Sequence, residues 1–334
     1  MNRRWPPLLL VPTMLLLFAG LGAAAHRGTA LQPPTCQQRQ FRVALAPGAP
    51  ARYKVVGWLC GRRPLSGRTI QVLIPGSTQT HVYWDFPLRP QQYSYVRALT
   101  NAGYATLNLD RLGSGQSDLP PGDRVTVAAQ AYVVHQIVQA LRAGQQPQAS
   151  FGKVILVGHS MGSAIAIFEA SRYADVDGLI LSGLLHTWAP TASVVGYLAF
   201  GVTPTIRVFH HRPLPSGYST TAPGALAIFL YRPNADPDVV ALQEARKDIA
   251  PVGEDPNTVV NAPALARAIR VPILSGVGQY DVLFCTAPSC PEAQAEPAVY
   301  DCHSQSAGPR TLVATICAPR AELELVVFPN AGHI

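Results

Sequence analysis

Short apolar runs alternate with helical patterns along most of this chain. Lys153–Val157 and Gly178–Leu181 are apolar runs of strand length. Val125–Ala143 repeats its apolar residues at spacings of three and four and ends at Gly144, which predicts an amphipathic helix. Buried parallel strands are almost continuously apolar, and helices join them. The pattern therefore favours an α/β domain built on a mostly parallel sheet.

The first part of the pattern predicts an antiparallel start that leads into the parallel strands. We expect strands over Phe41–Ala46, Tyr53–Leu59 and Ile70–Ile74, then a helix over Gln92–Ala102 and a strand over Tyr104–Leu109.

The alternation breaks after Leu184 and resumes with a strand that begins at Val271. Between them lie apolar pieces, proline-rich turns and one helical pattern, Asp238–Ala250. Such a length is too great for a simple connection, so we interpret it as an inserted helical cap. The last strand is predicted over Leu323–Phe328.

Four segments follow from this division. We expect a leader over residues 1–25, an N-terminal part of the core over 26–183, the cap over 184–270, and a C-terminal part of the core over 271–334 that carries a cysteine-rich insert.

Composition narrows the class of protein. The chain has 334 residues, of which 48% are hydrophobic and 13% charged, so it can bury a large core as one domain with insertions. The formal net charge is +7, but the sequence shows no dense Lys/Arg run and no face of interleaved aromatic and basic residues. We therefore expect no nucleic-acid partner. The sequence leaves the oligomeric state open.

The N-terminus has the pattern of a secretory signal peptide. Arg3 and Arg4 precede an apolar run over residues 8–21, and small residues follow as far as Ala25. An uncleaved anchor is the alternative, but the run is short for a membrane span and contains Pro12. The arginine pair also fits a twin-arginine signal. We expect cleavage after Ala25, an extracellular or periplasmic protein, and no stable membrane span after cleavage.

The cysteine count agrees with export. An even number of cysteines in an exported chain favours disulfides. We predict a Cys36–Cys60 bond, because both residues fall in the N-terminal strand region. The pairing among the other four is left open: Cys285, Cys290, Cys302 and Cys317. Zinc binding by the Cys-x4-Cys pair with His303 is the less favoured alternative.

The strongest motif is Gly158-His-Ser-Met-Gly162, which lies between a predicted strand and a predicted helix. In that context the pattern predicts a nucleophile elbow, a turn so sharp that side chains two before and two after the serine would collide. Ser160 would then stand exposed at the carboxyl edge of the sheet, in a strained conformation. The alternative is a strand-to-helix turn whose serine only caps the helix.

Two loops near this edge carry further candidates. Pro75-Gly76-Ser77 ends the third strand, and the N–H of Ser77 together with that of Met161 would form an oxyanion hole. An ordinary turn is the alternative. The aromatic loop of residues 81–86 either lines a pocket or packs in the core. Asp110 and Asp118 flank a glycine-containing loop, and we interpret both as structural residues that bond nearby backbone or pair with Arg111.

Asp281 and His333 complete the catalytic candidates. Asp281 follows the strand after the cap, and His333 follows the last strand in a loop with proline and glycine. Ser, Asp, His is the chain order found in α/β sheets that carry a nucleophile elbow. A histidine can take the proton of Ser160 and later donate it, while a carboxylate fixes the tautomer of the ring.

Together these motifs resemble the α/β-hydrolase superfamily, over roughly Tyr53 to His333. The resemblance is carried by Ile74-Pro-Gly-Ser77, Asp110–Asp118, Gly158–Gly162, Gly278-Gln-Tyr-Asp281 and Asn330-Ala-Gly-His333. It implies a mostly parallel eight-stranded sheet flanked by helices, an inserted helical cap, a Ser160–His333–Asp281 triad, and no metal or organic cofactor.

The resemblance has two departures. The usual His-Gly pair before the oxyanion donor is Pro75-Gly76 here, and the sequence given ends one residue after His333, where relatives typically continue with a covering helix. The chain is therefore either a truncated form or one whose histidine lies at an end that frays.

The expected function is serine-dependent hydrolysis of small-molecule carboxylic esters through an acyl-enzyme. A peptidase, lactonase or thioesterase of the same fold is the alternative, as is a binding protein without catalysis.

Overall fold

A computed structural model describes ten stretches of the chain. They cover residues 34–145, 149–185, 188–189, 191–200, 208–209, 212–213, 216–258, 260, 263–285 and 322–334. The predicted leader, residues 1–25, lies outside them, as does most of the cysteine-rich insert.

Twelve strands are present in the described stretches, eight of them in one sheet. They are β1 Thr35–Val43, β2 Tyr53–Gly61, β3 Thr69–Ile74, β4 Ala105–Asp110, β5 Lys153–His159, β6 Gly178–Ser182, β7 Val208–Phe209, β8 Arg212–Pro213, β9 Tyr218–Ser219, β10 Ala250–Pro251, β11 Ile273–Gly278 and β12 Leu323–Phe328.

The main sheet has the order β1-β2-β4-β3-β5-β6-β11-β12. Only β1–β2 and β2–β4 pair antiparallel, and every other neighbouring pair is parallel. The predicted mostly parallel eight-stranded sheet with an antiparallel start is confirmed. Because the carboxyl ends of parallel strands share one edge, the loops after β3, β5, β11 and β12 meet there.

Both faces of the sheet are covered, as the apolar runs require. On β3, Val72 and Ile74 belong to the main core, whereas Leu73 belongs to a second core that includes Trp84 and Val96. Successive side chains of a strand point to opposite faces, so these two cores lie on the two sides of the sheet.

Seven α-helices occur among the described residues. They are α1 Pro90–Tyr93, α2 Tyr95–Asn101, α3 Val127–Arg142, α4 Met161–Tyr173, α5 Ala192–Phe200, α6 Pro237–Arg246 and α7 Pro263–Ala268. None of the helices in these stretches is both long enough and apolar enough to cross a membrane.

Two helix predictions need correction. The single helix expected over Gln92–Ala102 is two short helices, because Ser94 is extended between them and its hydroxyl accepts the N–H of Arg97 as the cap of α2. The helix expected over Asp238–Ala250 begins one residue earlier, after its cap Asp236, and ends at Arg246.

The range predicted as a cap is less helical than expected. Its described residues include α5, α6 and α7, three short 3₁₀ turns and four two-residue strands. Of its helices, α7 packs against α4 of the core. The boundaries of the four predicted segments stay a prediction.

The predicted disulfide is present. Cys36 and Cys60 are directly opposite each other on the antiparallel pair β1–β2, and their sulfur atoms are bonded. Cys285 is also disulfide-bonded. The other three cysteines lie outside the described residues, so the pairing of the later four stays open.

Replacing both cysteines of the first pair, Cys36→Ser with Cys60→Ser, should lower the free energy of unfolding by about 2–4 kcal/mol, because the bond restricts the unfolded chain. The shift is measured by urea unfolding at equilibrium, against the parent protein with and without reductant. An unchanged midpoint would contradict a stabilising role.

Candidate active site

Ser160 occupies the turn between β5 and α4. Its backbone has φ 51° and ψ −117°, a conformation that residues with a side chain rarely adopt. Its N–H donates to the carbonyl oxygen of Ser182 at the end of β6, 2.8 Å away. The strained residue is thus held by the neighbouring strand.

The two motif glycines are required by close backbone contacts. A Cβ on Gly162 would lie 2.0 Å from the carbonyl oxygen of Ile74, at the end of β3. A Cβ on Gly158 would lie 2.4 Å from the backbone nitrogen of Ser163 and 2.5 Å from the Gly162 carbonyl. Any side chain at these places would push α4 away from the sheet, so the sequence argument for glycine holds in the structure.

The structure brings the three catalytic candidates into one hydrogen-bonded chain. Nε2 of His333 lies 2.9 Å from Oγ of Ser160, and Nδ1 of His333 lies 2.8 Å from Oδ2 of Asp281. Asp281 is fully buried, and its other oxygen accepts the N–H of Leu283 at 2.9 Å. A serine, a ring that can accept its proton and a fixed carboxylate are the groups that nucleophilic catalysis needs.

Backbone contact between two loops sets the position of this pair. A Cβ on Gly278, the last residue of β11, would lie 1.9 Å from the carbonyl oxygen of Gly332. The N–H of Tyr280 donates to the carbonyl of Ala331 at 2.8 Å. The loops that carry Asp281 and His333 therefore lie against each other.

A residue in the range predicted as the cap, Phe229, also contacts His333. Its N–H donates to the carbonyl oxygen of Phe229 at 2.7 Å, and the N–H of Ile334 reaches the same oxygen at 3.3 Å. The ring centroids of Phe229 and His333 are 5.7 Å apart. The histidine is buried, with 7% of its surface exposed.

The turn after β3 lies beside Ser160, and residues of both line one cavity. The N–H of Gly76 donates to the side-chain oxygen of Gln79 at 2.9 Å. This hydrogen bond does not involve the N–H of the next residue, Ser77. Met161 is the first residue of α4, where a backbone N–H has no partner within the helix. Ser77, Met161 and Ser160 line the same cavity.

This cavity has a volume of about 690 Å³, within the range of small-molecule sites. Core and cap range both contribute to its wall. Most of the large side chains that line it are apolar: Leu184, Trp188, Phe200, Leu226, Phe229, Leu283 and Phe284. Ser160 and His333 lie at the same wall.

A buried ion pair forms a hydrogen bond to the backbone of the turn after β3. Arg111 pairs with Glu254, and its other terminal nitrogen donates to the carbonyl oxygen of Gly76 at 3.1 Å. The two side chains are 2% and 1% exposed. The side-chain nitrogen of Gln130 donates to the same Glu254 oxygen at 2.6 Å. Burial raises the pKa of Glu254, and the Arg111 charge and the Gln130 hydrogen bond oppose that rise.

His159, the residue before the serine, is buried and neutral. Burial and the nearby His333 hold its pKa well below the usual value. Its Nδ1 lies 3.1 Å from Oγ of Ser182, and its ring stacks on Tyr83 at 4.6 Å. His159, Gln79 and the Arg111–Glu254 pair were not predicted from the sequence. The partners of His159 and Arg111 are distant in sequence, and Gln79 lies only three residues from Gly76 in a turn that no spacing rule singles out.

Two interpretations near the site were open, those of the aromatic loop and of Asp110. The aromatic loop of residues 81–86 packs rather than lining the cavity: Trp84 and Phe86 are buried, and Tyr83 stacks on His159. Asp110 accepts the N–H groups of His81 and Gln116, as a structural residue does.

Asp118, at the other end of the glycine-containing loop, also accepts a backbone N–H. Asp118 accepts the N–H of Lys54 at 2.8 Å. Arg111 pairs with Glu254 instead of either aspartate. His303 and Cys290, of the less favoured zinc alternative, lie outside the described residues.

Comparison with known proteins identifies the architecture. The sequence pattern of the alpha/beta hydrolase family matches residues 71–334. No curated protein matches the chain significantly.

Several solved structures share the fold. A thermophilic esterase from Thermogutta terrifontis is 20% identical, with a TM-score of 0.56 over 89% of this chain and 91% of that one. An esterase from Exiguobacterium antarcticum is 18% identical, with a TM-score of 0.52 over 88% and 91%. A bromoperoxidase from Bacillus anthracis is 14% identical, with a TM-score of 0.53 over 87% and 93%. At these identities the likeness shows the fold alone.

The Arg111–Glu254 pair gives a testable prediction. Glu254→Gln leaves a buried guanidinium without its counter-charge, so it should lower the free energy of unfolding by about 3–5 kcal/mol. Arg111→Met should also be costly because it leaves the carboxylate unpaired, and the double variant Arg111→Met with Glu254→Gln should lose less than the sum of the two single changes. Urea unfolding of all four proteins measures the coupling between the two residues. Additive losses would show that the two charges do not stabilise each other.

Proposed function

The chain belongs to the alpha/beta hydrolase family, and from that premise we propose that it is a secreted serine hydrolase that cleaves carboxylic esters. The observation that carries the proposal is the continuous chain of hydrogen-bonding distances from Ser160 through His333 to Asp281. Esterases among the structures that share the fold agree with it.

In the proposed reaction, Oγ of Ser160 attacks the acyl carbon of the ester while Nε2 of His333 takes the hydroxyl proton. Asp281 holds the opposite ring nitrogen and stabilises the imidazolium that forms. His333 then gives the proton to the leaving alcohol, and an acyl-enzyme remains. Water, activated by the same ring, attacks the acyl carbon and releases the acid and free Ser160.

The negative charge that develops on the substrate oxygen needs donors that are already in position. We assign this role to the N–H groups of Ser77 and Met161, which lie on the two turns beside Ser160. Gln79 and Arg111 fix the first of these turns through Gly76. Fixed donors of this kind lower the barrier without reorganising during the reaction.

The substrate class follows from the shape and lining of the cavity. A mostly apolar wall around about 690 Å³ favours an ester with an apolar acyl or alcohol part. Residues of the 184–270 range form much of that wall, which supports its role as a cap.

Secretion is supported by two observations. Residues 1–25 have the pattern of a signal peptide. The Cys36–Cys60 disulfide fits an oxidising compartment.

The decisive test is the nucleophile. A fluorophosphonate probe should add once to the parent protein, at Ser160, as read by intact mass and peptide mapping. Ser160→Ala should abolish labelling and lower kcat for p-nitrophenyl esters by at least about 10⁴-fold.

The matched control is Ser171→Ala, the same change within the helix that follows Ser160, which should label and turn over like the parent. A Ser160→Ala protein that hydrolyses esters at the parent rate would refute the assignment. Turnover of thioesters or aminoacyl-naphthylamides without ester turnover would instead assign the chain to another class of acyl transfer.

The cavity gives a prediction about acyl length. Gly196 of α5 lines the cavity, and a Cβ built there meets nothing within 4 Å. Gly196→Phe should therefore fill space that a long acyl chain needs. We expect kcat/KM for an octanoate ester to fall roughly tenfold relative to that for an acetate ester, as hydrophobic pockets discriminate by such amounts.

Gly196→Ala is the control for the loss of glycine in the helix, and it should leave the ratio near that of the parent. An unchanged octanoate-to-acetate ratio in Gly196→Phe would show that the acyl chain does not occupy this part of the cavity.

A further inference from the structure

A second cluster of chemically active side chains lies at the far end of α4 from Ser160. It consists of His135 on α3, Glu169 on α4 and Asp175 in the turn before β6, and it is called the α3–α4 cluster below. One side-chain ligand atom from each of the three lies within 4.8 Å of the other two. None of these residues lines the cavity beside Ser160.

The cluster contains buried acceptors that lack donors. Glu169 is completely buried, and neither of its carboxylate oxygens has a hydrogen-bond partner. One oxygen of Asp175, Oδ1, is buried without a partner as well. Burying an ionised carboxylate without a donor or counter-charge costs several kcal/mol, so the cluster must hold either a proton or a metal cation.

The nearby cation does not fill this need. Arg142 directs its guanidinium to the Asp177 carboxylate at 2.7 Å and to the backbone carbonyl of Asp175. Its charge therefore reaches Glu169 only at longer range.

We propose that the α3–α4 cluster is a binding site for a divalent transition-metal ion, with Zn²⁺ the best fit. The donor set is one imidazole nitrogen and two carboxylate oxygens, a combination that suits zinc, whereas calcium and magnesium prefer oxygen ligands alone. Three protein ligands leave a fourth position for water. His135 and Asp175 are 24% and 14% exposed, so an ion can reach the site from solvent.

The distances allow such a site after small side-chain movements. In a tetrahedral zinc site with bonds of about 2.0–2.1 Å, the ligand atoms stand about 3.3 Å apart. Nδ1 of His135 and Oδ2 of Asp175 are 2.8 Å apart here, and the remaining separations are at most 4.8 Å. The side-chain nitrogen of Gln139 donates to Oδ2 of Asp175 at 2.5 Å and orients that carboxylate.

A proton is the competing occupant. Burial, together with the neighbouring Asp175 carboxylate, raises the pKa of Glu169 to about 10. Zinc binding would displace this proton and join α3, α4 and the turn before β6 through one ion. The expected role is structural, because the cluster lies away from Ser160.

The test uses the whole folded protein, stripped with EDTA and then titrated with ZnCl₂ by isothermal calorimetry. Bound zinc after desalting is counted by mass spectrometry of the metal. We expect one zinc that raises the Tm of the parent, and no such rise with CaCl₂. Glu169→Gln should weaken zinc binding by more than about tenfold. Even the loss of a residue that only hydrogen-bonds to a metal ligand lowers metal affinity by about that factor.

Two further variants keep the result interpretable. His135→Asn alters a partly exposed ligand and should lose the same zinc even if Glu169→Gln folds poorly. Glu324→Gln removes an exposed carboxylate on β12 and should bind zinc like the parent. No binding by the parent at 100-fold excess zinc, or a zinc that remains in both ligand variants, would overturn the proposal.

Discussion

The contact between the end of β3 and the first turn of α4 is the constraint on which the site depends. Gly162 meets the carbonyl oxygen of Ile74 so closely that no side chain fits between them. This approach forces Ser160 into its strained conformation and places the Ser77 turn next to the start of α4. The strain is offset by the large core that anchors the strand and the helix on both sides.

The second requirement is that distant segments converge on this turn. Arg111, from the loop after β4, joins Glu254 of the cap range to the carbonyl of Gly76. A buried guanidinium with two fixed acceptors acts as a rigid support, since each of its hydrogen bonds is costly to leave unmade. The cavity beside Ser160 thus has a wall built from both parts of the chain.

Much of this arrangement was predictable from local patterns. The apolar runs predicted the strands, and the order of the motifs predicted that Ser160, Asp281 and His333 would come to one edge of the sheet. The break at Ser94 was missed because a serine within a helical pattern gives no sign that its hydroxyl will cap the next turn. Glu254, Phe229 and the α3–α4 cluster were also missed. Glu254, Phe229 and His135 have partners far away in sequence, and only the tertiary packing brings them together.

One contact links access to the site with its chemistry. The carbonyl of Phe229 accepts both N–H groups at the end of the chain, those of His333 and Ile334. The turn of residues 225–229 also forms part of the cavity wall. If this turn moved, the backbone of His333 would lose one of the hydrogen bonds that position it. The position of the cavity wall and the position of the His333 ring are therefore coupled through the Phe229 carbonyl.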